Sequence, residues 1–248
     1  MQPGRRVQQA IDAAYRVFAP YPRPTELKAS PLRDADEILR TLTSAPLRDL
    51  TGEQIGPYAG WAMTTVGSAW DYKHFLPRIL EQAVRRPVWT GTEPTIIASK
   101  LDTAGWQRWP ATEQDAVRDV FAAAWAQTRA MHPDDIHADD WLCGIAALGM
   151  NVSEALAGWL SPPSRDAVLQ LAWFIGLAPV RIFEGNDDEG GYWADVDPAA
   201  RQSVAAWLQG DAVLPALLNL DLSADDKDRW LVDQALKVLL PTNPKQLN

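Results

Sequence analysis

The stretch Met131–Trp141, MHPDDIHADDW, gathers two of the chain's three histidines and four of its aspartates. Imidazole nitrogens and carboxylate oxygens are the donors that zinc and manganese accept. His132, Asp134 and His137 are therefore candidate ligands for a metal-dependent enzyme, with Asp135, Asp139 and Asp140 beside them. The spacing favours a plainer reading. The two histidines stand five residues apart, off the i, i+4 interval that puts a pair on one helical face. Pro133 can end one helix, and clustered aspartates suit the N-terminus of the next through its dipole. On that reading the segment is a polar turn between helices.

The string His-Pro-Asp-Asp at 132–135 is similar to the metal-binding motif of zinc-dependent sugar deacetylases. Those enzymes carry a further acid after the second aspartate and deliver the motif from a strand near the chain start. Here Ile136 follows, and an alanine-rich helical run precedes. Those departures set the chain apart from that family.

Other chemistry-bearing residues are fewer. EGNDDEGGYW, residues 184–193, is acidic and glycine-rich, and is expected to be a mobile loop. It lacks the alternating acids and terminal bidentate glutamate of an EF-hand. His74 lies in WDYKHFLPRILE, where Asp71 is placed to cap a helix and Arg78 to pair with Glu81 at i, i+3. The acids Asp225 and Asp226 read as first-turn helix residues. No Gly-x-Ser-x-Gly elbow, Walker loop, dinucleotide fingerprint or zinc helix is present, so no cofactor is expected. Cys143, the only cysteine, excludes an internal disulfide and a thiolate zinc cluster, and is expected to be buried. There is no apolar run of signal-peptide or membrane-spanning length, so a cytoplasmic protein is expected.

The charge is uneven. Residues 1–130 hold 16 basic and 14 acidic side chains, residues 131–228 hold 4 and 17, and the last stretch holds 3 and 1. The middle segment is net −13 within a chain of net −9. Such a surface repels nucleic acid and anionic membrane and attracts a basic protein. Asp134, Asp135, Asp139, Asp187, Asp188 and Glu189 are the candidate partner-binding residues. The twelve tryptophans are spread along the chain, as anchors between packed helices would be.

Helical periodicity dominates. Ala116, Val117, Val120, Phe121, Ala124 and Trp125 form one apolar stripe, and the runs around Trp141 and Trp230 repeat it. Thr51 with Gln54, Ser223 with Asp226, and Asp197-Pro198 are start signals, and Pro110 suits a first helical turn. Gly105, Gly149 and Gly210 have the places of left-handed caps. Short β-like runs at 95–97 and 180–183 have no partner run. These signals predict an all-α protein with helices over 5–18, 33–44, 52–67, 71–86, 93–104, 110–130, 138–148, 152–160, 164–177, 198–209, 211–219 and 224–240. The helices are expected to pack as antiparallel pairs, in an irregular repeat-like array. Pro77 should break or kink the fourth. A single body with a soft division near residue 131, where the charge changes, is expected.

Four segments carry a second resemblance: Tyr-Pro-Arg-Pro at 21–24, Pro-Leu-Arg-x-Leu at 46–50, Phe-Leu-Pro-Arg-x-x-Glu at 75–81, and Ala-Gly-Trp with Trp-Pro at 104–110. Over about residues 15–130 the chain resembles a bacterial protein family of unassigned function. Members often carry a cysteine pair after the first segment, where this chain has KASPLRD. A metal or redox role for that pair would be lost here. The resemblance implies a helical intracellular protein and supplies no activity. The reading that joins these observations is a non-enzymatic binding protein. Its acidic face would hold a basic partner, as a bacterial immunity or inhibitor protein holds a cationic toxin. The alternatives are the metal enzyme centred on 132–140 and a helical scaffold subunit.

Overall fold

The computed structural model describes residues 4–85, 91–161, 163–177 and 191–240. Among these the regular structure is helical, with twelve α-helices and only isolated β-bridges at Ala29, Ala62 and Val66. The chain divides into two compact units, Met1–Ala124 and Trp125–Asn248. The division falls slightly before the change in charge.

The first unit is built from α1 (Arg5–Phe18), α2 (Ala35–Leu42), α3 (Gly52–Trp61), α4 (Ala69–Arg85), α5 (Pro94–Thr103) and the start of α6 (Ala111–Thr128). Val7, Ala10, Ile11, Ala14 and Phe18 give α1 one buried stripe, which lies on α4. The cap at Thr51 forms as expected: its hydroxyl accepts the Gln54 N–H, and the Gln54 amide oxygen accepts the Thr51 N–H. α3 ends at Trp61 rather than 67. Met63 takes a left-handed φ of 62°, and the N–H groups of Thr64, Thr65 and Val66 all turn back onto the Trp61 carbonyl. α4 is capped by the Ser68 hydroxyl, with Asp71 reaching back to the Ser68 N–H, so Asp71 answers the cap instead of forming it. The helix then runs through Pro77 without a break. Gly105 has a φ of 64°, the left-handed stop expected there, and α5 closes on it.

The second unit holds α7 (Asp139–Ala147), α8 (Val152–Ala157), α9 (Arg165–Leu177), α10 (Pro198–Leu208), α11 (Val213–Leu218) and α12 (Arg229–Leu239). α9 pairs with α12, and α8 with α10. Gly176 permits the first pairing: a Cβ there would lie 3.2 Å from the Gln234 Cβ, tighter than ordinary side-chain contact. Asp197 caps α10 through the Ala199 N–H, and Gly149 takes its expected left-handed φ. Gly210 does not, and its N–H closes a turn on the Trp207 carbonyl instead. α12 starts at Arg229, five residues after the expected start. Asp226 and Asp228 are drawn into contacts with Arg165 and His132, which keeps residues 224–228 in turns.

The tryptophans anchor helices as expected, with Trp106, Trp141 and Trp159 fully buried, while Trp70 and Trp230 are 59% and 49% exposed. Cys143 is buried. No helix among the described residues is long and apolar enough to cross a membrane.

Candidate functional site

The segment 131–140 is a turn clasped from two sides. From within, Gln170 of α9, itself 1% exposed, holds three backbone groups. Its amide nitrogen donates to the carbonyls of Met131 (2.9 Å) and Ile136 (2.7 Å), and its oxygen accepts the Ala138 N–H (3.0 Å). A buried polar group must be matched, and one side-chain amide here matches three. From the other side His132 Nε2 lies 3.0 Å from Asp228 Oδ2, and His132 Nδ1 accepts the Asp134 N–H at 3.1 Å. Those two partners assign the tautomer, with Nε2–H donating to Asp228. Both ring nitrogens are spent, so the imidazole is not presented to a substrate as a general base.

Around this pair runs a charge network. Asp228 is buried and also takes the Arg165 guanidinium at 2.6 Å; Arg165 holds Asp226 at 3.0 and 3.1 Å as well. Lys227 donates to Asp134 at 2.7 Å. Burial alone would raise the Asp228 carboxyl, but the hydrogen bonds from His132 and Arg165 outweigh it and hold the group below the usual range. The Lys227 hydrogen bond lowers exposed Asp134 in the same sense.

One atom each of His132, Asp134 and Asp228 lie within 4.8 Å of one another, a spacing at which three donors can meet a metal ion. The expected third donor, His137, is not among them. Its ring stacks on Trp173 at 4.1 Å between centroids and 23° between planes, and burial lowers its pKa. Asp228 stands in its place, ninety-six residues from His132. The donor set does not fit a divalent cation well. Asp228 is taken by Arg165 and Asp134 by Lys227, and an incoming ion must displace both cations. The arrangement is suited to fixing the turn and the start of α12.

The remaining sequence candidates fall apart spatially. Asp135 is exposed, and its carboxylate has no hydrogen bond or ion pair among the described residues. Asp187, Asp188 and Glu189 lie outside the described residues, as does the run at 180–183. Asp139 opens α7 with its Oδ1 buried and unpartnered among the described residues. Burial pushes its carboxyl up to about 6, with its own backbone N–H pulling the other way. Burial, and then the carboxylates Asp139, Asp140 and Asp195, push the Cys143 thiol well above its usual range, so it is no nucleophile.

Asp139 yields a pH prediction. Its folded pKa is raised above the ordinary value of 3.8, so the folded state binds the proton more tightly. Ionised Asp139 therefore destabilises the fold above about pH 6, and the penalty fades as pH falls through 6 towards 3.8. Asp139→Asn is expected to unfold at higher urea than the parent at about pH 7.5 and to lose that advantage by about pH 4. A pH-independent difference would mean that the carboxylate is solvated.

The first unit has a second network, which sequence reading found only in part. Glu81 of α4 takes Arg78 at 2.6 Å and the Tyr15 hydroxyl at 2.7 Å on Oε2, and Arg85 on Oε1. Arg78 Nε donates to the Leu50 carbonyl at 2.7 Å. One turn earlier, Lys73 Nζ meets Glu113 at 2.6 Å and the Tyr21 hydroxyl at 2.9 Å, and sits 4.1 Å from the centre of the Trp109 ring. Tyr21 completes the triangle by donating to Glu113 at 2.6 Å, and His74 Nδ1 lies 2.9 Å from the Tyr21 carbonyl. The four segments at 21–24, 46–50, 75–81 and 104–110 thus converge. Arg78 joins two of them directly through the Leu50 carbonyl, while Tyr21 and Glu81 bond to buried or half-buried residues outside them, Lys73, Glu113 and Tyr15. No family model, curated protein or solved structure matches this chain.

Proposed function

We propose that the chain is a non-enzymatic binding protein whose second unit holds a basic protein, in a reducing compartment such as the cytoplasm. One observation carries the reading. Asp135, Asp195, Asp211, Asp221, Asp225 and Asp233 are exposed, and none of their carboxylates has a hydrogen bond or ion pair among the described residues. The first unit also exposes acids without a side-chain partner, Glu26, Asp36, Glu37, Asp49, Glu53 and Asp119 among them, but residues 1–130 set 16 basic side chains against 14 acids, whereas residues 131–228 set 4 against 17. Carboxylates left unpaired on one unit repel each other and gain when a cationic surface meets them. They also steer its approach, which raises the association rate most at low ionic strength. An inhibitor or immunity protein neutralising a cationic toxin is the kind of partnership this suits.

The test is capture on the immobilised chain at about 50 mM salt, elution in a salt gradient, and association kinetics of the eluted protein at two salt concentrations. The expected result is a stoichiometric basic protein whose association slows about tenfold or more towards 300 mM salt. Replacing the six aspartates by asparagine should remove most of that dependence. No partner, or one that binds equally at both salts, overturns the reading.

A further inference from the structure

Within the second unit an apolar groove of about 330 Å³ opens between the start of α9 and α11. Leu160, Pro163 and Val168 form one wall, and Pro215, Ala216 and Leu220 the other. The volume falls in the range of small binding clefts. Leu218 on the same short helix is 58% exposed.

The charge around it specifies the occupant. The α11 stretch that lines the groove begins after Asp211 and ends before Asp221, both exposed and both without a hydrogen bond or ion pair among the described residues. Arg165 also lines the groove, and its guanidinium is held by Asp226 and Asp228. An apolar slot between acids matches an apolar side chain flanked by lysines or arginines. We infer that this groove is where the basic protein docks, taking an amphipathic segment with its apolar face in the slot and its cations on Asp211 and Asp221. The inference rests on the proposed function and adds the place and the chemistry of the bound segment.

The probe is a helical peptide with leucines along one face and lysines along the other; its control keeps the lysines and replaces the leucines by serine. Binding is read by fluorescence anisotropy at low salt. Losing one or two buried leucines should weaken the control about ten- to a hundredfold. Ala216→Trp, which fills the slot, and the double change D211K/D221K, which leaves it open, should each weaken the leucine peptide by about tenfold or more. The second variant guards against misfolding of the first. D135K/D233K, with the same charge change elsewhere, should have the smaller effect. If the peptide binds with strong salt dependence but only D135K/D233K loses it, the groove assignment fails and the acidic reading stands. If neither peptide binds in a salt-dependent way to any form, both fail. Self-association that Ala216→Trp abolishes would make the occupant a second copy of this chain and overturn the inference.

Discussion

Gln170→Leu is expected to destabilise the protein by about 3–5 kcal/mol, because it strands two buried backbone groups and a half-buried one at about 1–3 kcal/mol each. The Met131 and Ile136 carbonyls and the Ala138 N–H take their bonds from this one amide, and Ile136 and Ala138 are 5% and 0% exposed. Leucine keeps the volume and the apolar contacts of α9, so the loss reports the hydrogen bonds. Gln170→Glu sharpens the test. A carboxylate can still accept from Ala138, but it confronts two carbonyls with no proton to give, so it should cost at least as much as leucine at neutral pH and less in acid. Urea unfolding measures the cost, and amide exchange at Ala138 should accelerate well beyond the global change. A loss below about 1 kcal/mol would mean that water replaces the amide, and that the turn is held mainly by His132 and Asp228.

The clasp also shows which parts of this protein can be read from sequence. Helix starts such as Thr51 with Gln54 and Asp197 with Pro198 were legible because cap and partner lie within one turn. The i, i+3 pair Arg78–Glu81 was legible for the same reason. The end of α3 and the start of α12 were not. The turn after Trp61 rests on a left-handed Met63, which no propensity favours, and α12 is delayed by bonds from its leading aspartates to Arg165 and His132. The partners of the two histidines were not legible, because proximity in sequence was the only guide. His132 answers to Asp228, while His137 stacks on Trp173. Gln170 left one faint signal: a lone amide inside the apolar run VLQLAWF, where a polar residue is buried only if it has partners. Those partners are backbone groups 32 to 39 residues away, and backbone carries no signature of its own.

The pair Lys73–Glu113 carries the other large effect, and a double-mutant cycle separates its two parts. Side-chain exposures of 11% and 8% mean that both charges have left water, at a cost of several kcal/mol per ion. The geometry repays this: the ammonium has a carboxylate, a hydroxyl and the Trp109 face, and the carboxylate has both the ammonium and the Tyr21 O–H. Lys73→Met leaves Glu113 charged with Tyr21 as its remaining donor; Glu113→Leu leaves the ammonium on a hydroxyl and an aromatic face. Each single change is expected to cost about 3–5 kcal/mol, the penalty of a buried charge without its counterion. Lys73→Met combined with Glu113→Leu removes both ions and their desolvation together, and should lie within about 2 kcal/mol of the parent. A double variant as weak as the sum of the singles would show that the two residues act independently. The expected outcome would make the pair a device for register, fixing α4 against the start of α6 and the 19–24 segment at little net gain in stability. It would also assign these buried charges to folding, and leave the proposed recognition to the exposed carboxylates of the second unit.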